Sequence, residues 1–262
     1  MFDFSELKSF FDALELQEKP VITHASLKPF GYIQNGADAI IHAMLLSFKS
    51  IMMPTFTYKT MITPEVGPPN NGITYGTEKD TNKMARPFTP DMPADKTMGI
   101  VPEALRNHAP AVRTSHPILS FAGIKSEEYL NTQTLYEPLA PIGALADADG
   151  WVVLINVDHS VNTSIHYAEK MAGRKQFIRW ALMDDRVVEC PNFPGDSSGF
   201  QAIEEYVRAD TRRVDVGKAY IQAVPLKRLF DEVVTLVKKD PLALLCDRED
   251  CERCVAVRVL QG

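Results

Sequence analysis

The chain has 262 residues, 45% of them hydrophobic and 24% charged, enough for one large globular core or a closely joined pair of domains. Its formal charge of −6, from 28 basic and 34 acidic residues, argues against nucleic acid as the main partner and favours a neutral or cationic ligand. No run of about 18 apolar residues offers a membrane span. The start Met1-Phe2-Asp3-Phe4-Ser5-Glu6 lacks a signal peptide's basic and apolar blocks, so a cytoplasmic location is expected.

Phe4, Leu7, Phe10, Phe11 and Leu14 recur at helical spacing, and Val21-Ile22-Thr23 reads as a short strand running into His24-Ala25-Ser26-Leu27. Residues 36–48 again read as helix, and Ile51-Met52-Met53 as a buried strand stopped at Pro54. From Thr57 to Pro93 the chain is rich in Pro, Gly, Asn and Thr and has little periodicity. So long an irregular stretch reads as a functional loop or lid. A helix over 98–107 and a strand over 118–122 follow. The apolar run Trp151-Val152-Val153-Leu154-Ile155-Asn156-Val157 is of the kind buried in a parallel sheet. Residues 176–189 predict a two-stranded ribbon turning at Asp184-Asp185, since Phe177, Ile178, Trp180, Leu182, Val187 and Val188 favour strands. Pro225 to Lys239 places Leu226, Leu229, Val233, Leu236 and Val237 on one helix face. The alternation predicts an α/β fold: a central, mostly parallel sheet flanked by helices, with a small β ribbon and a Cys-containing C-terminal tail. Residues 1–245 form the main domain in this reading, and 246–262 the tail.

The segment Asn162-Thr163-Ser164-Ile165-His166-Tyr167-Ala168-Glu169 follows the apolar strand and carries a histidine and a carboxylate three residues apart. Side chains at i and i+3 are neighbours on a helix, and Asn162 or Thr163 can cap its first turn. Thr163, His166 and Glu169 then share one side. A carboxylate holding one imidazole nitrogen leaves the other free to take a proton near neutral pH. Alone, the pair reads first as a surface histidine beside a solvated glutamate. A helix starting at the carboxyl end of a buried strand instead delivers His166 to the rim of an α/β crevice. His42 and His108 read as structural or solvated, and His159 as a secondary candidate.

Cys246-x4-Cys251-x2-Cys254 places three thiols in nine residues, and Cys190 is available as a fourth ligand. The spacing suits a soft metal, so structural zinc and free reduced thiols both stand as readings.

Several segments together resemble the aminoglycoside 3-N-acetyltransferases. They are His24-Ala25-Ser26-Leu27 with Gly31 and Gly36, Met53-Pro54-Thr55-Phe56, and Met98-Gly99-Ile100-Val101-Pro102-Glu103 with Arg106. Arg113-Thr114-Ser115-His116-Pro117 with Ser120-Phe121-Ala122, the Asn162–Glu169 run and Gly217-Lys218-Ala219 complete the set. The resemblance covers nearly all of residues 20–245. It implies an acetyl-CoA-dependent acyltransferase of antibiotic resistance that acetylates the 3-amino group of an aminoglycoside, a small cationic amine, by direct transfer. The family's base corresponds to His166, its acidic partner to Glu169, and Thr163 contributes a hydroxyl. The resemblance also implies cofactor roles for His24, Ser26 and Leu27, and contacts of Arg113 and His116 with CoA phosphates or ribose. Thr114, Asn156 and Glu137-Pro138-Leu139 depart from the family pattern, and Glu137 would repel an anionic cofactor. Glu65, Glu78, Asp80, Asp91, Asp95 and Glu189 are the carboxylates considered for holding a polycationic sugar. The rival readings are a hydrolase in which the same histidine activates water, and a non-catalytic CoA-binding protein.

Overall fold

A computed structural model describes residues 2–260. Met1, which opens the expected leaderless start, and residues 261–262 of the expected tail lie outside the described residues. The strands are β1 (Pro20–Ala25), β2 (Ser50–Pro54), β3 (Met61–Ile62), β4 (Val112–Arg113), β5 (Phe121–Ile124), β6 (Trp151–Ile155), β7 (Phe177–Met183), β8 (Arg186–Phe193), β9 (Arg212–Val216) and β10 (Ala219–Pro225). The helices are α1 (Phe4–Asp12), α2 (Gly36–Ser47), α3 (Lys79–Met84), α4 (Ile100–Asn107), α5 (Glu127–Leu130), α6 (Ala140–Asp147), α7 (Ser164–Met171), α8 (Glu204–Val207), α9 (Leu226–Lys239) and α10 (Glu252–Arg258).

The main sheet runs β4-β5-β2-β1-β6-β10-β9. β1 is parallel to both β2 and β6, while β5 and β10 pair antiparallel with their neighbours. Five strands therefore point one way and two the other, and the expected mostly parallel sheet has its uninterrupted parallel part at the centre. Alternation along each strand sends side chains to opposite faces. Ile22, Met52, Val152 and Leu154 pack with Ile142, Ile165, Ala168, Leu229 and Val233 from α6, α7 and α9. Val21, Ile51, Met53 and Val153 pack with Leu7, Phe11, Ile40, Met44, Val101 and Leu105 from α1, α2 and α4. Each such aliphatic side chain contributes about 1.5–3 kcal/mol when fully buried, so the two faces hold the three layers together. From β1 the chain crosses to β2 on one side through α2, and it later enters β6 on the other side, followed by α7. The carboxyl ends of β1 and β6 thus flank a topological switch point, where open α/β sheets leave a crevice.

The Asp184-Asp185 ribbon forms as expected and gains β3 as a third strand. Elsewhere the boundaries move for local reasons. The expected strand at 118–122 begins only at Phe121, because the backbone N–H groups of Ile118 and Leu119 donate to His116 Nδ1 and shape a turn first. β6 stops at Ile155 because Asn156 adopts φ 54°, in the left-handed region that favours glycine and tolerates asparagine. Its amide donates to Ser26 O at 2.9 Å and accepts from Tyr220 N–H at 2.7 Å, tying together the ends of β1, β6 and β10.

β9, β10 and α10 go beyond the expected elements. Arg212–Val216 carries charges on exposed positions, and Ala219–Pro225 hides Gln222 in the sheet, so neither reads as a plain apolar strand. α10 puts Ala256 and Val257 into the same core as α7 and α9, so the tail packs on the main body. Within residues 57–93 the only regular elements beyond a short 3-10 turn are β3 and α3, and the segment is pinned rather than loose. Asn71 exchanges hydrogen bonds with the backbone of Ile178, Arg179 donates to Asn71 O and Gly72 O, and Asn70 donates to Ala256 O. No helix among the described residues is long and apolar enough to cross a membrane.

Candidate active site

α7 begins just past the carboxyl end of β6. Asn162 Oδ1 accepts from Ser164 N–H at 3.1 Å, so Asn162 supplies the side-chain hydrogen bond at the helix start and Thr163 does not. His166 and Glu169 then meet as the i, i+3 spacing requires. His166 Nδ1 donates to Glu169 Oε2 at 3.1 Å, and both residues are buried. This fixes the neutral tautomer with the lone pair on Nε2, which has no protein partner among the described residues. The edge of Phe200, 4.6 Å between ring centroids, limits rotation of the imidazole.

Glu169 is held from behind by a residue that sequence reading did not single out. Arg174 Nε lies 3.4 Å from Glu169 Oε1, and the guanidinium also donates to Pro241 O and Ala243 O. Burial lowers the Arg174 pKa, and the neighbouring Glu169 offsets only part of that shift. Arg174 thereby latches α7 to the segment after α9. It comes five residues after Glu169, beyond a glycine, and its partners are 67 and 69 residues downstream, so no local signal marks it.

His166 and Thr163 line a cavity of about 310 Å³ at the carboxyl ends of β1 and β2, closed by residues from the β8 exit and by Arg253 of α10. His24 also lines it. Its Nε2 accepts from Thr163 N–H at 3.3 Å, joining the end of β1 to the start of α7. Burial, with His159 adding to it, drives the His24 pKa down to about 3, so this ring is neutral. His159 is buried beside the same turn, where its Nδ1 accepts from the Asn162 amide at 3.2 Å.

The other expected cofactor residues lie outside this cavity. Ser26 N–H donates to Ile155 O, and neither Ser26 nor Leu27 lines it. Arg113 and His116 line a separate cavity of about 520 Å³. The Arg113 guanidinium donates to Ser120 Oγ, Pro90 O, Met92 O and Thr55 O, clamping the irregular segment to the sheet edge. Burial lowers the His116 pKa to about 4. Glu137 pairs with Lys170 on the surface of α7, which offsets the negative charge expected to repel a cofactor. None of the six carboxylates considered for a polycation lines the cavity of His166.

The three clustered cysteines are buried together, with Cys246 Sγ 3.4 Å from Cys254 Sγ. Their fourth neighbour is Asp196, not Cys190: ligand atoms of Asp196, Cys246, Cys251 and Cys254 all lie within 4.8 Å of one another. Cys190 sits in the apolar core beneath the ribbon, where burial pushes its thiol pKa up to about 12.

Comparison with known proteins identifies relatives of the chain. A model of the family described as aminoglycoside 3-N-acetyltransferase matches residues 22–238. The chain is 27% identical over 158 residues to the SPbeta prophage-derived aminoglycoside N(3')-acetyltransferase-like protein YokD of Bacillus subtilis, a match covering 57% of each chain. It is 30% identical over 171 residues to aminoglycoside N(3)-acetyltransferase IV of a Salmonella species, covering 61% of this chain and 66% of that protein. These alignments thus span about three fifths of the curated relatives' length. In fold it matches the apoenzyme of aminoglycoside acetyltransferase AAC(3)-IVa with a TM-score of 0.78 at 21% identity, covering 98% of this chain and 97% of the other. A histidine-to-alanine variant of that protein has been solved with a gentamicin. The AAC-IIIb complex with CoASH matches with a TM-score of 0.73 at 20% identity, over 91% and 97% of the two chains. The span matched by the family model takes in most of the central sheet and the helix bearing His166, and the chain belongs to the aminoglycoside 3-N-acetyltransferase family.

Proposed function

We propose that this chain transfers acetyl from acetyl-CoA to an amine of an aminoglycoside or related small molecule, with His166 as general base. The observation that carries the reading is the buried His166–Glu169 pair at the mouth of a switch-point cavity, with Nε2 free of protein partners. The relatives solved with CoASH and with a gentamicin support the two ligand classes.

An amine attacks a thioester only through its lone pair. His166 Nε2 takes the proton that the nitrogen sheds as its bond to the acetyl carbon forms. Glu169 holds the ring and stabilises the imidazolium. As the carbon–sulfur bond breaks, the thiolate leaves as CoA and is protonated. Thr163 lines the same cavity and offers a hydroxyl beside the reacting groups, while His24 fixes the Thr163 backbone.

Loss of the base lowers turnover about 10²- to 10⁴-fold, and this is the expected result for His166→Ala with its fold intact. Glu169→Gln keeps the shape and loses the charge, so its defect is expected to be smaller. The measurement is thiol release from acetyl-CoA across an aminoglycoside panel. Near-normal turnover by folded His166→Ala rejects the mechanism, and release without any amine favours the hydrolase.

The cysteine cluster with Asp196 is proposed as a structural zinc site in a reducing cytoplasm. Three thiols and one carboxylate make a closed four-ligand set, and tetrahedral zinc with bonds of about 2.3 Å spaces its sulfurs about 3.8 Å apart. The 3.4 Å separation of Cys246 and Cys254 sulfurs is close to that spacing. Elemental analysis of untagged protein is expected to find one zinc per chain; freely titratable thiols and no zinc reject the site.

A further inference from the structure

We infer that His24 is a further catalytic residue, whose Nδ1–H donates to the thioester carbonyl oxygen as that oxygen becomes negative. The inference rests on the acetyl-transfer reading above and supplies what His166 and Glu169 lack, a donor for the oxyanion. Amine attack moves the carbonyl π electrons onto oxygen, and a donor already fixed there lowers the barrier.

The hydrogen bonding of His24 defines its tautomer. Nε2 accepts from the Thr163 N–H at 3.3 Å, so in the neutral ring the proton is on Nδ1. Nδ1 has no hydrogen-bond partner among the described residues, yet it is not one of the polar atoms sealed inside the chain. Since His24 lines the cavity of His166, this N–H opens onto the space where the thioester must sit.

The fold sets donor and base beside each other. β1 and β6 are parallel neighbours with His24 opposite Leu154, and α7 starts beyond the end of β6. Thr163 ties the end of β1 to that helix, and His166 lies one turn further along the same side. The His24 N–H and the His166 lone pair therefore border one cavity from two elements joined by a hydrogen bond. A tetrahedral carbon carries the attacking nitrogen and the oxyanion on different bonds, so base and donor belong on different elements.

The charge state suits the role. Burial, with His159 adding to it, keeps His24 neutral. An imidazolium here would repel an incoming ammonium and make His166 harder to protonate. A neutral N–H polarises the carbonyl without either effect, and the backbone amide donating to Nε2 strengthens it as a donor.

Other donors lining the cavity are committed or unfixed. Thr97 Oγ donates to Asp95 Oδ1 at 2.8 Å, Ser160 Oγ donates to Asp158 Oδ1, and Arg253 pairs with Asp196 at 3.1 Å. Thr163, Tyr58 and Ser197 carry hydroxyls that rotate and must be turned toward the oxyanion. The His24 N–H is held in place before the reaction.

In the step, the amine nitrogen bonds to the acetyl carbon and passes a proton to His166 Nε2, while the carbonyl electron pair moves to oxygen under the His24 N–H. Collapse restores the carbonyl and breaks the carbon–sulfur bond, and the thiolate takes the proton held by His166. His24 neither gains nor loses a proton.

Two measurements on the full chain test this. In amine-dependent thiol release, His24→Ala is expected to lower kcat about 10²- to 10³-fold, the usual cost of one oxyanion donor, with little change in KM for acetyl-CoA or amine. His24→Gln recovers part of that loss, because its carbonyl accepts from Thr163 N–H while its amide donates, and it covers the case in which the alanine variant fails to fold. The second measurement is the infrared carbonyl band of bound acetyl-CoA labelled with carbon-13, recorded without amine. A hydrogen bond to the carbonyl lowers its frequency, so the band is expected to lie lower in the unaltered chain than in either variant. A histidine that only held the Thr163 backbone would leave the band where it is. The inference is overturned by near-normal kcat in folded His24→Ala, by a defect confined to KM, or by a band that neither substitution moves. Thiol release that needs no amine overturns the acetyl-transfer reading instead, and the band still reports on His24.

Discussion

His24 is neutral because it is dry, and that links the site to the stability of the whole chain. An unfolded histidine titrates near 6.5. In the folded chain burial holds His24 at about 3 and His116 at about 4. Between those values and pH 6.5 the unfolded chain binds protons that the native chain refuses. The stabilisation is therefore complete above about pH 6.5 and is lost as the pH falls toward the folded values, by up to about 1.4 kcal/mol per pH unit per histidine. His24→Gln keeps an acceptor for the Thr163 N–H and removes the titration. It is expected to flatten the loss of unfolding free energy measured by urea between about pH 6.5 and 4; an unchanged slope would take His24 out of the account. At the same scale, Glu169 beside His166 is legible in the sequence because a helix brings i and i+3 together by itself. Arg174 is not, because its value depends on the carbonyls of Pro241 and Ala243 arriving from another part of the chain.

Periodicity identifies the elements whose environment is uniform along their length. α9 has one buried face, β6 is buried along its whole length, and both lie where expected. β9, β10 and α10 escape it because their residues serve mixed environments, with polar groups both in the sheet and at its edge. The irregular segment is the element whose behaviour is most open to measurement. Asn70 on Ala256 O, Asn71 on β7, Asn82 on Thr63 and the Phe88 N–H on Leu182 O anchor it at separate points, while the residues between them are exposed or half-buried. Hydrogen exchange is expected to show protection at the Ile178 amide in all states, and protection of residues 63–80 that increases with acetyl-CoA and amine. Strong, unchanged protection of 63–80 without ligands would make it a rigid insert.

For the molecule as a whole, the tail is a structural member. Ala256 and Val257 enter the main core, and the cysteine cluster with Asp196 joins the tail to the β8 exit. A metal that binds only the folded chain stabilises it by mass action. Cys251→Ser, or treatment with a strong chelator, is expected to lower the melting temperature by several degrees, about 1–2 kcal/mol in a chain of this size, with little change in the KM for acetyl-CoA. An unaltered melting temperature would leave the cluster as free thiols. The α/β alternation, the Asp184-Asp185 ribbon and the His166–Glu169 pair were determined by sequence alone, because hydrophobic period, turn chemistry and helical spacing act over a few residues. Which strands adjoin at the switch point, that Asp196 rather than Cys190 faces the three thiols, and that Arg253 enters the cavity of His166 were decided only by tertiary structure. Those contacts join segments up to about 230 residues apart, from Thr23 to Arg253, and a packed core, unlike a helical turn, leaves no local pattern from which its partners can be read.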